Sequence, residues 1–360
     1  MKRRTLLGGM VGAGLASQVV SRKGGAAPTD GAPRYKVIAV EEACQISEIH
    51  AALKRKAGNN PPSMKTGPIA GPFVAPLLDL GEGRVLGMDA DGVDVQVLSI
   101  TSPGVQLFEP AEAVQLAALA NDRMMETVRK FPGRFGALAT VAPQDPAASA
   151  KELDRAIAKL GMNGAIINSH TFGEYLDDPK FWPIFEAAEA LDAPIYIHPR
   201  EPSPGLEQPL WMPGFIVGWG YAVETGTHAL RLINAGVFDR FPKLQIVLGH
   251  MGEGLPFFYD RLNNRFRFET AFSPRKVQLQ KPPAEYLKSN FYVTTSGMNH
   301  WAPLAATIAT LGLDRVLYAV DYPMENQAEE VQAMRKFPLS AEDRRTFCET
   351  NARRVFKLKL

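Results

Sequence analysis

The chain has 360 residues, 46% of them hydrophobic, enough for a large buried core. Its 40 Lys and Arg nearly cancel its 38 Asp and Glu, leaving a formal charge of +2 and no field for gripping nucleic acid or an anionic bilayer. The two cysteines, Cys44 and Cys348, exclude a disulfide framework and a thiolate metal site.

Residues 1–27 differ from the rest. Met1-Lys2-Arg3-Arg4 leads into a mostly apolar, Gly- and Ala-rich stretch from Leu6 to Val20, followed by Gly24-Gly25-Ala26-Ala27. That is the layout of a secretory signal with a cleavage site, and the arginine pair points to twin-arginine export. The stretch falls short of the roughly 20 apolar residues of a membrane span. The expectation is a signal over 1–27 and a mature domain over 28–360, in the periplasm or outside the cell, with no stable membrane insertion.

From residue 35 on, short β-branched runs alternate with longer helical patterns. The predicted strands are Lys36–Val40, Val93–Ile100, Phe135–Val141, Gly164–Asn168, Pro194–His198, Leu244–Gly249, Phe291–Thr295 and Arg315–Asp321. Most are continuous apolar runs, as parallel strands covered on both faces should be. Between them, Ala111–Lys130, Pro146–Leu160, Pro179–Leu191 and Thr225–Asn234 carry apolar residues at three- and four-residue spacing. Eight strand–helix alternations predict an α/β fold, a (β/α)8 TIM barrel in one domain. Residues 56–77, 199–220 and 265–289 are expected to be long loops. The first two follow strands and so belong to the face where barrels build active sites.

The polar residues at strand ends carry the functional argument. Strand one ends in Glu41-Glu42, strand five in His198, strand six runs into His250-Met251-Gly252-Glu253, and strand eight ends in Asp321. Any one alone has an ordinary structural role: a hydrogen-bonded histidine, a turn aspartate, a solvated glutamate. Four of eight strand ends meeting on one face is different. Carboxylates and imidazoles converging there are costly unless a cation or a proton balances them, which predicts a metal centre.

These residues resemble a known family. Ile38-Ala39-Val40-Glu41-Glu42, Thr101-Ser102-Pro103-Gly104-Val105-Gln106, Ala142-Pro143-Gln144-Asp145-Pro146 and Ile167-Asn168-Ser169-His170 are part of the likeness. Ile197-His198-Pro199, Leu248-Gly249-His250-Met251-Gly252-Glu253, Thr294-Thr295-Ser296-Gly297 and Asp321-Tyr322-Pro323 complete it. From Tyr35 to Phe356 the chain is similar to the amidohydrolase superfamily, in the branch of aminocarboxymuconate semialdehyde decarboxylase and the hydroxybenzoate decarboxylases. Within it the 5-carboxyvanillate decarboxylases look most similar, with γ-resorcylate and salicylate decarboxylases further off. The resemblance implies that Glu41, His198 and Asp321 bind one divalent metal and that His250 and Glu253 form a hydrogen-bonded pair beside it. It places Arg261 at a position that contacts a substrate carboxylate; a helix-face salt bridge is its structural alternative. Homodimers or homotetramers are the implied assembly.

Three departures stand out. Where many members have Glu-x-His on strand one, the third residue here is Ala43, which leaves a more oxygen-rich site and tilts the ion toward Mn2+ over Zn2+. An arginine of the carboxyvanillate enzymes after strand one has no counterpart in residues 66–73, Thr-Gly-Pro-Ile-Ala-Gly-Pro-Phe. Their tyrosine three positions after the strand-eight aspartate is Met324 here.

The expected reaction is redox-neutral loss of CO2 from an ortho-hydroxy aromatic acid, with the ring carbon protonated first. Asp321 is the candidate donor and His250, oriented by Glu253, the group setting protonation. Trp211, Trp219 and Phe73 are candidates for an aromatic wall or for core packing. Metal-dependent hydrolysis of a lactone or carbon–carbon bond uses the same groups and is the competing reading. A binding protein without catalysis is a third, disfavoured by the intact set of polar residues.

Overall fold

The computed structural model describes residues 35–60, 65, 67–272 and 278–360. The signal expected at 1–27 lies outside the described residues, and Tyr35–Leu360 forms one compact unit.

Nine short strands run parallel: β1 Ile38–Cys44, β2 Val95–Ile100, β3 Phe135–Ala137, β4 Ala139–Thr140, β5 Ala165–Asn168, β6 Ile195–His198, β7 Ile246–Leu248, β8 Phe291–Thr294 and β9 Val316–Leu317. They pair in chain order as β1-β2-β3 and β4 through β9. The predicted third strand is β3 and β4 together, interrupted at Leu138. There Leu138 N donates to Leu98 O (2.8 Å) on one side and Ala139 N to Gly164 O (2.8 Å) on the other, so the segment passes the ladder between its neighbours. The ring closes beyond β9, where Val40 N donates to Tyr318 O (3.2 Å), Asp321 N to Glu41 O (3.1 Å) and Ala43 N to Tyr322 O (2.7 Å). The result is a closed eight-stranded barrel of the TIM type.

Strand burial is complete except at His198, which explains the unbroken apolar runs in the sequence. Inward-facing Ile38, Val40, Val97, Ile166, Val247 and Leu317 fill the barrel, and Val355, Phe356 and Leu358 of the C-terminal segment pack against them. A second core lies between strands and helices. The helix Pro110–Lys130 shows why such segments form. Proline occupies its first turn, Arg129 and Lys130 face its negative end, and Ala113, Ala117, Ala120 and Met124 form the buried stripe.

Three expected loops prove partly helical. Residues 199–220 contain the helix Pro204–Leu210 and a wide turn over Ile216–Tyr221. Residues 265–289 begin inside the helix Tyr259–Phe272 and end in Pro283–Ser289, and Val74–Leu78 is a short helix within 56–77. In 56–77 and 199–220 the Pro and Gly content hid this, because Pro at a first helical turn reads as a breaker in sequence. Strand one also runs further than expected, to Cys44 rather than Val40. Among the described residues no helix is long and apolar enough to cross a membrane.

Candidate metal centre

Glu41 and Glu42 are not a solvated strand end; both are buried within β1. Pairing with β2 advances three residues on β1, Ala39 to Glu42, against two on β2, Gln96 to Leu98. This bulge breaks the two-residue alternation, so Val40 fills the barrel while the next residue, Glu41, also points into its mouth. Glu42 turns outward to the Arg84 side, and Ala43 again shares the face of Glu41. The bulge thus aims one of two adjacent carboxylates at the centre and hides the other.

Glu42 accepts Val320 N at 3.0 Å, and burial pushes its carboxyl up to about 8. Nearby, Arg84 is fully buried. It donates to Gln96 Oε1 (2.6 Å) and to Ala43 O (3.0 Å), and lies over the Tyr322 ring at 4.8 Å. It therefore ties β1, β2 and the segment after β9 together behind the two strand ends that carry Glu41 and Asp321.

Ligand-bearing atoms of Glu41, His198 and Asp321 all lie within 4.8 Å of one another. Glu41 Oε1 is 3.7 Å from His198 Nε2 and 3.9 Å from His250 Nε2, and the latter is 3.8 Å from Asp321 Oδ2. Glu41 Oε2 is held by the hydroxyls of Tyr196, Thr294 and Ser296. Burial alone would raise Glu41, but His250, His198 and the hydroxyls of Ser296 and Tyr196 outweigh it and lower its pKa. Burial and the Glu41 charge raise Asp321 against the hydrogen bond of His250. Burial works against a charged His250, yet Glu253, Glu41 and Asp321 hold the imidazole well above its ordinary range.

His250 reaches this position through a left-handed turn. His250 (φ 49°), Met251 (57°), Gly252 (71°), Glu253 (54°) and Gly254 (77°) are consecutive positive-φ residues, and Asp321 has φ 73°. For the three non-glycine residues of the turn this conformation costs about 1–2 kcal/mol each. The turn is held by Gly252 N donating to Gly249 O (2.7 Å), by buried Met251, and by His250 Nδ1 with Glu253 Oε1 at 2.9 Å. Burial raises the Glu253 carboxyl against the pull of His250; whenever it is ionised it only accepts, so that Nδ1 carries a proton and Nε2 faces the carboxylates. Strain of this kind gathers at functional sites.

The structure thus brings Glu41, His198, His250, Glu253 and Asp321 together. Phe73, Trp211 and Trp219 are exposed, and Arg261 lies exposed on Tyr259–Phe272, a helix with no buried residue. The side chains of Phe73, Trp219 and Arg261 make no hydrogen bond, ion pair or ring contact with the cluster, and the salt-bridge alternative for Arg261 finds no partner among the described residues. Met324 N closes a turn on Asp321 O at 2.8 Å. Tyr196, Thr294 and Ser296 were not singled out from sequence as site residues, although a signal existed: Tyr196 stands two residues before His198, and Thr294 two before Ser296, on shared strand faces.

The donor set suits a divalent cation. Glu41 Oε1 is buried without a hydrogen-bond donor, and His198 Nδ1 also lacks a partner. A buried carboxylate oxygen in that state, facing two imidazoles and a second carboxylate, is a position for positive charge.

An amidohydrolase family model matches residues 74–358. The chain is 36% identical over 291 residues to the γ-resorcylate decarboxylase of Polaromonas sp. (strain JS666), covering 78% of this chain and 89% of that protein. It matches the 5-carboxyvanillate decarboxylase of Sphingomonas paucimobilis at 40% identity and a TM-score of 0.86, over 91% of this chain and all of that one. The 5-carboxyvanillate decarboxylase of Novosphingobium aromaticivorans, solved with manganese and 4-hydroxy-3-methoxy-5-nitrobenzoic acid, matches at 40% and 0.84, over 90% and 96%. By sequence, fold and the residues gathered at its barrel mouth, this chain belongs to the amidohydrolase family.

Proposed function

We propose that the chain is a metal-dependent decarboxylase that releases CO2 from a hydroxylated aromatic carboxylic acid. The observation that carries this is the meeting of Asp321 with Glu41, His198 and His250 in a chain whose relatives at 36–40% identity are aromatic-acid decarboxylases. Those relatives also favour decarboxylation over the hydrolytic reading.

A bound divalent ion supplies charge neutralisation for a substrate carboxylate and neighbouring phenolate. Asp321 delivers a proton from its carboxyl oxygen to the ring carbon bearing the carboxylate. The new C–H bond uses a ring electron pair and gives a dienone. The C–C bond to the carboxylate then breaks, its electron pair restores aromaticity, and CO2 leaves. Asp321 is left ionised and regains one proton from solvent per turnover. His250, fixed by Glu253, sets the charge beside Asp321, a role of the general acid–base kind worth about 10²–10⁴ in rate. Arg261 is the proposed partner of a substrate carboxylate, with Phe73 and Trp219 as aromatic walls.

Mn2+ is the proposed ion: Ala43 leaves an oxygen-rich set, and relatives were solved with manganese. The proposed assembly is a homodimer or homotetramer, supported by exposed Phe257, Phe268 and Phe272 on and before a helix that buries nothing in one chain. The proposed location is the periplasm or cell exterior, reached by the twin-arginine signal at 1–27. Mature protein found in the cytosol with that segment intact would refute it.

The test is to quantify bound Mn and Zn in purified protein and to screen hydroxybenzoates for CO2 release, with Asp321→Asn as control. Metal-dependent CO2 release lost in Asp321→Asn supports the proposal. Bound metal, no CO2 and turnover of lactones would replace it with a hydrolase.

A further inference from the structure

We infer that Tyr196, Thr294 and Ser296 are positioning residues that occupy Oε2 of Glu41, so that this carboxylate offers a cation Oε1 alone. The inference rests on the metal-centre reading and adds how the barrel prepares its most buried ligand.

A carboxylate has about four lone-pair sites shared over two oxygens and can present either or both to a cation. Here the two oxygens have unlike surroundings. Tyr196 and Ser296 direct their hydroxyl protons to Oε2. Thr294 Oγ1 lies 2.9 Å from Oε2, 3.1 Å from the Tyr196 hydroxyl and 2.7 Å from Ser296 Oγ, joining the three into one network. All three residues are buried. Oε1 has no donor at all and faces His198 and His250. A buried acceptor left unpaired is costly, yet Oε1 has no donor while Oε2 takes all three hydroxyls. That asymmetry is what a one-oxygen ligand needs.

The network also reaches the second half of the site. Ser296 Oγ accepts from His250 N at 3.3 Å, so one side chain links the Glu41 carboxylate to the strained turn that carries His250. The hydroxyls come from β6 and from β8 with the residue pair after it, the two strands flanking β7. They therefore register Glu41 directly against two strands of the barrel, β6 and β8. Partners of this kind behind a ligand are worth about 10–100-fold in metal affinity.

The experiment measures Mn2+ binding to metal-free protein by calorimetry and by the electron paramagnetic resonance of the bound ion. The variants are Tyr196→Phe, Thr294→Val and Ser296→Ala, with Ser296→Thr as the hydroxyl-retaining partner and Glu41→Gln as the ligand control. Circular dichroism of each metal-free variant separates lost folding from lost binding. The expected result is a 10–100-fold weaker Mn2+ affinity in Tyr196→Phe and Ser296→Ala, with an altered resonance line shape and wild-type folding. Ser296→Thr should stay within a few-fold of wild type. If Ser296→Ala does not fold, the affinity and line shape of Tyr196→Phe and Thr294→Val decide the matter. Wild-type affinity and line shape in the folded hydroxyl variants, with binding lost in Glu41→Gln, would overturn this inference and leave the metal centre standing. Unchanged binding in Glu41→Gln would overturn both.

Discussion

Gly249 offers a clean perturbation of the centre. Its backbone (φ −68°, ψ −178°) is one any residue adopts, so alanine introduces no backbone strain there. The added Cβ would lie 3.0 Å from Glu41 Oε1, 3.1 Å from Oε2 and 3.3 Å from the Tyr196 hydroxyl. Contacts that tight require the carboxylate to retreat by a few tenths of an ångström. Metal–ligand distances tolerate about ±0.2 Å, so the displacement exceeds what the site can absorb. Disturbing a ligand's support costs about 10–100-fold in affinity, or roughly 1.4–2.7 kcal/mol. Overpacking should also lower metal-free stability by about 1–3 kcal/mol. Calorimetric titration of metal-free Gly249→Ala with Mn2+, well below its unfolding temperature, reads the effect directly. A dissociation constant within twofold of wild type would show that Glu41 has slack behind it and that its placement by close packing is wrong.

Further outcomes follow from the same geometry. Glu253→Gln removes the anion behind His250 Nδ1 and should lower kcat at least about tenfold without displacing bound metal; unchanged kcat would remove the pair from the mechanism. Arg84→Met leaves Gln96 and Glu42 without their buried cation, and urea unfolding should show a loss of about 3 kcal/mol; a loss below about 1 kcal/mol would show that the barrel seam does not depend on Arg84. Acid should destabilise the fold through two buried neutral histidines. His228 Nε2 accepts Leu176 N (3.1 Å) and His170 Nδ1 accepts Gly173 N (3.1 Å), so neither can be protonated in place. Burial is the main cause of both low values, about 3 for His228 and about 4 for His170. Both folded values lie below the unfolded one of about 6.5, so this stability is present above pH 6.5 and is lost as pH falls toward 4 and 3. Each group contributes a slope of about 1.4 kcal/mol per pH unit in that window. Urea midpoints at pH 7 and pH 5 should differ accordingly, and His228→Gln should remove about half of the difference; an unchanged slope would refute the assignment.

Much of this protein was legible before any coordinates. Continuous apolar runs and three- and four-residue spacings determined the alternation of strands and helices, because a parallel strand covered on both faces and an amphipathic helix each leave a periodic trace. The polar residues His198, His250, Glu253 and Asp321 stood out because they interrupt or end those runs. Periodicity is local, however, and the details that prepare the site are not. It could not tell Glu41 from Glu42, since the bulge that turns one inward and the other toward Arg84 arises from a mismatch between β1 and β2. Nor could it see the left-handed turn at His250–Gly254 or the three hydroxyls on Glu41 Oε2, which come from residues 155 to 255 positions away in the chain. Those features depend on which strands become neighbours and how closely their side chains pack. Only closure of the barrel decides that, because hydrogen bonds between distant residues exist only once the chain has brought their strands together.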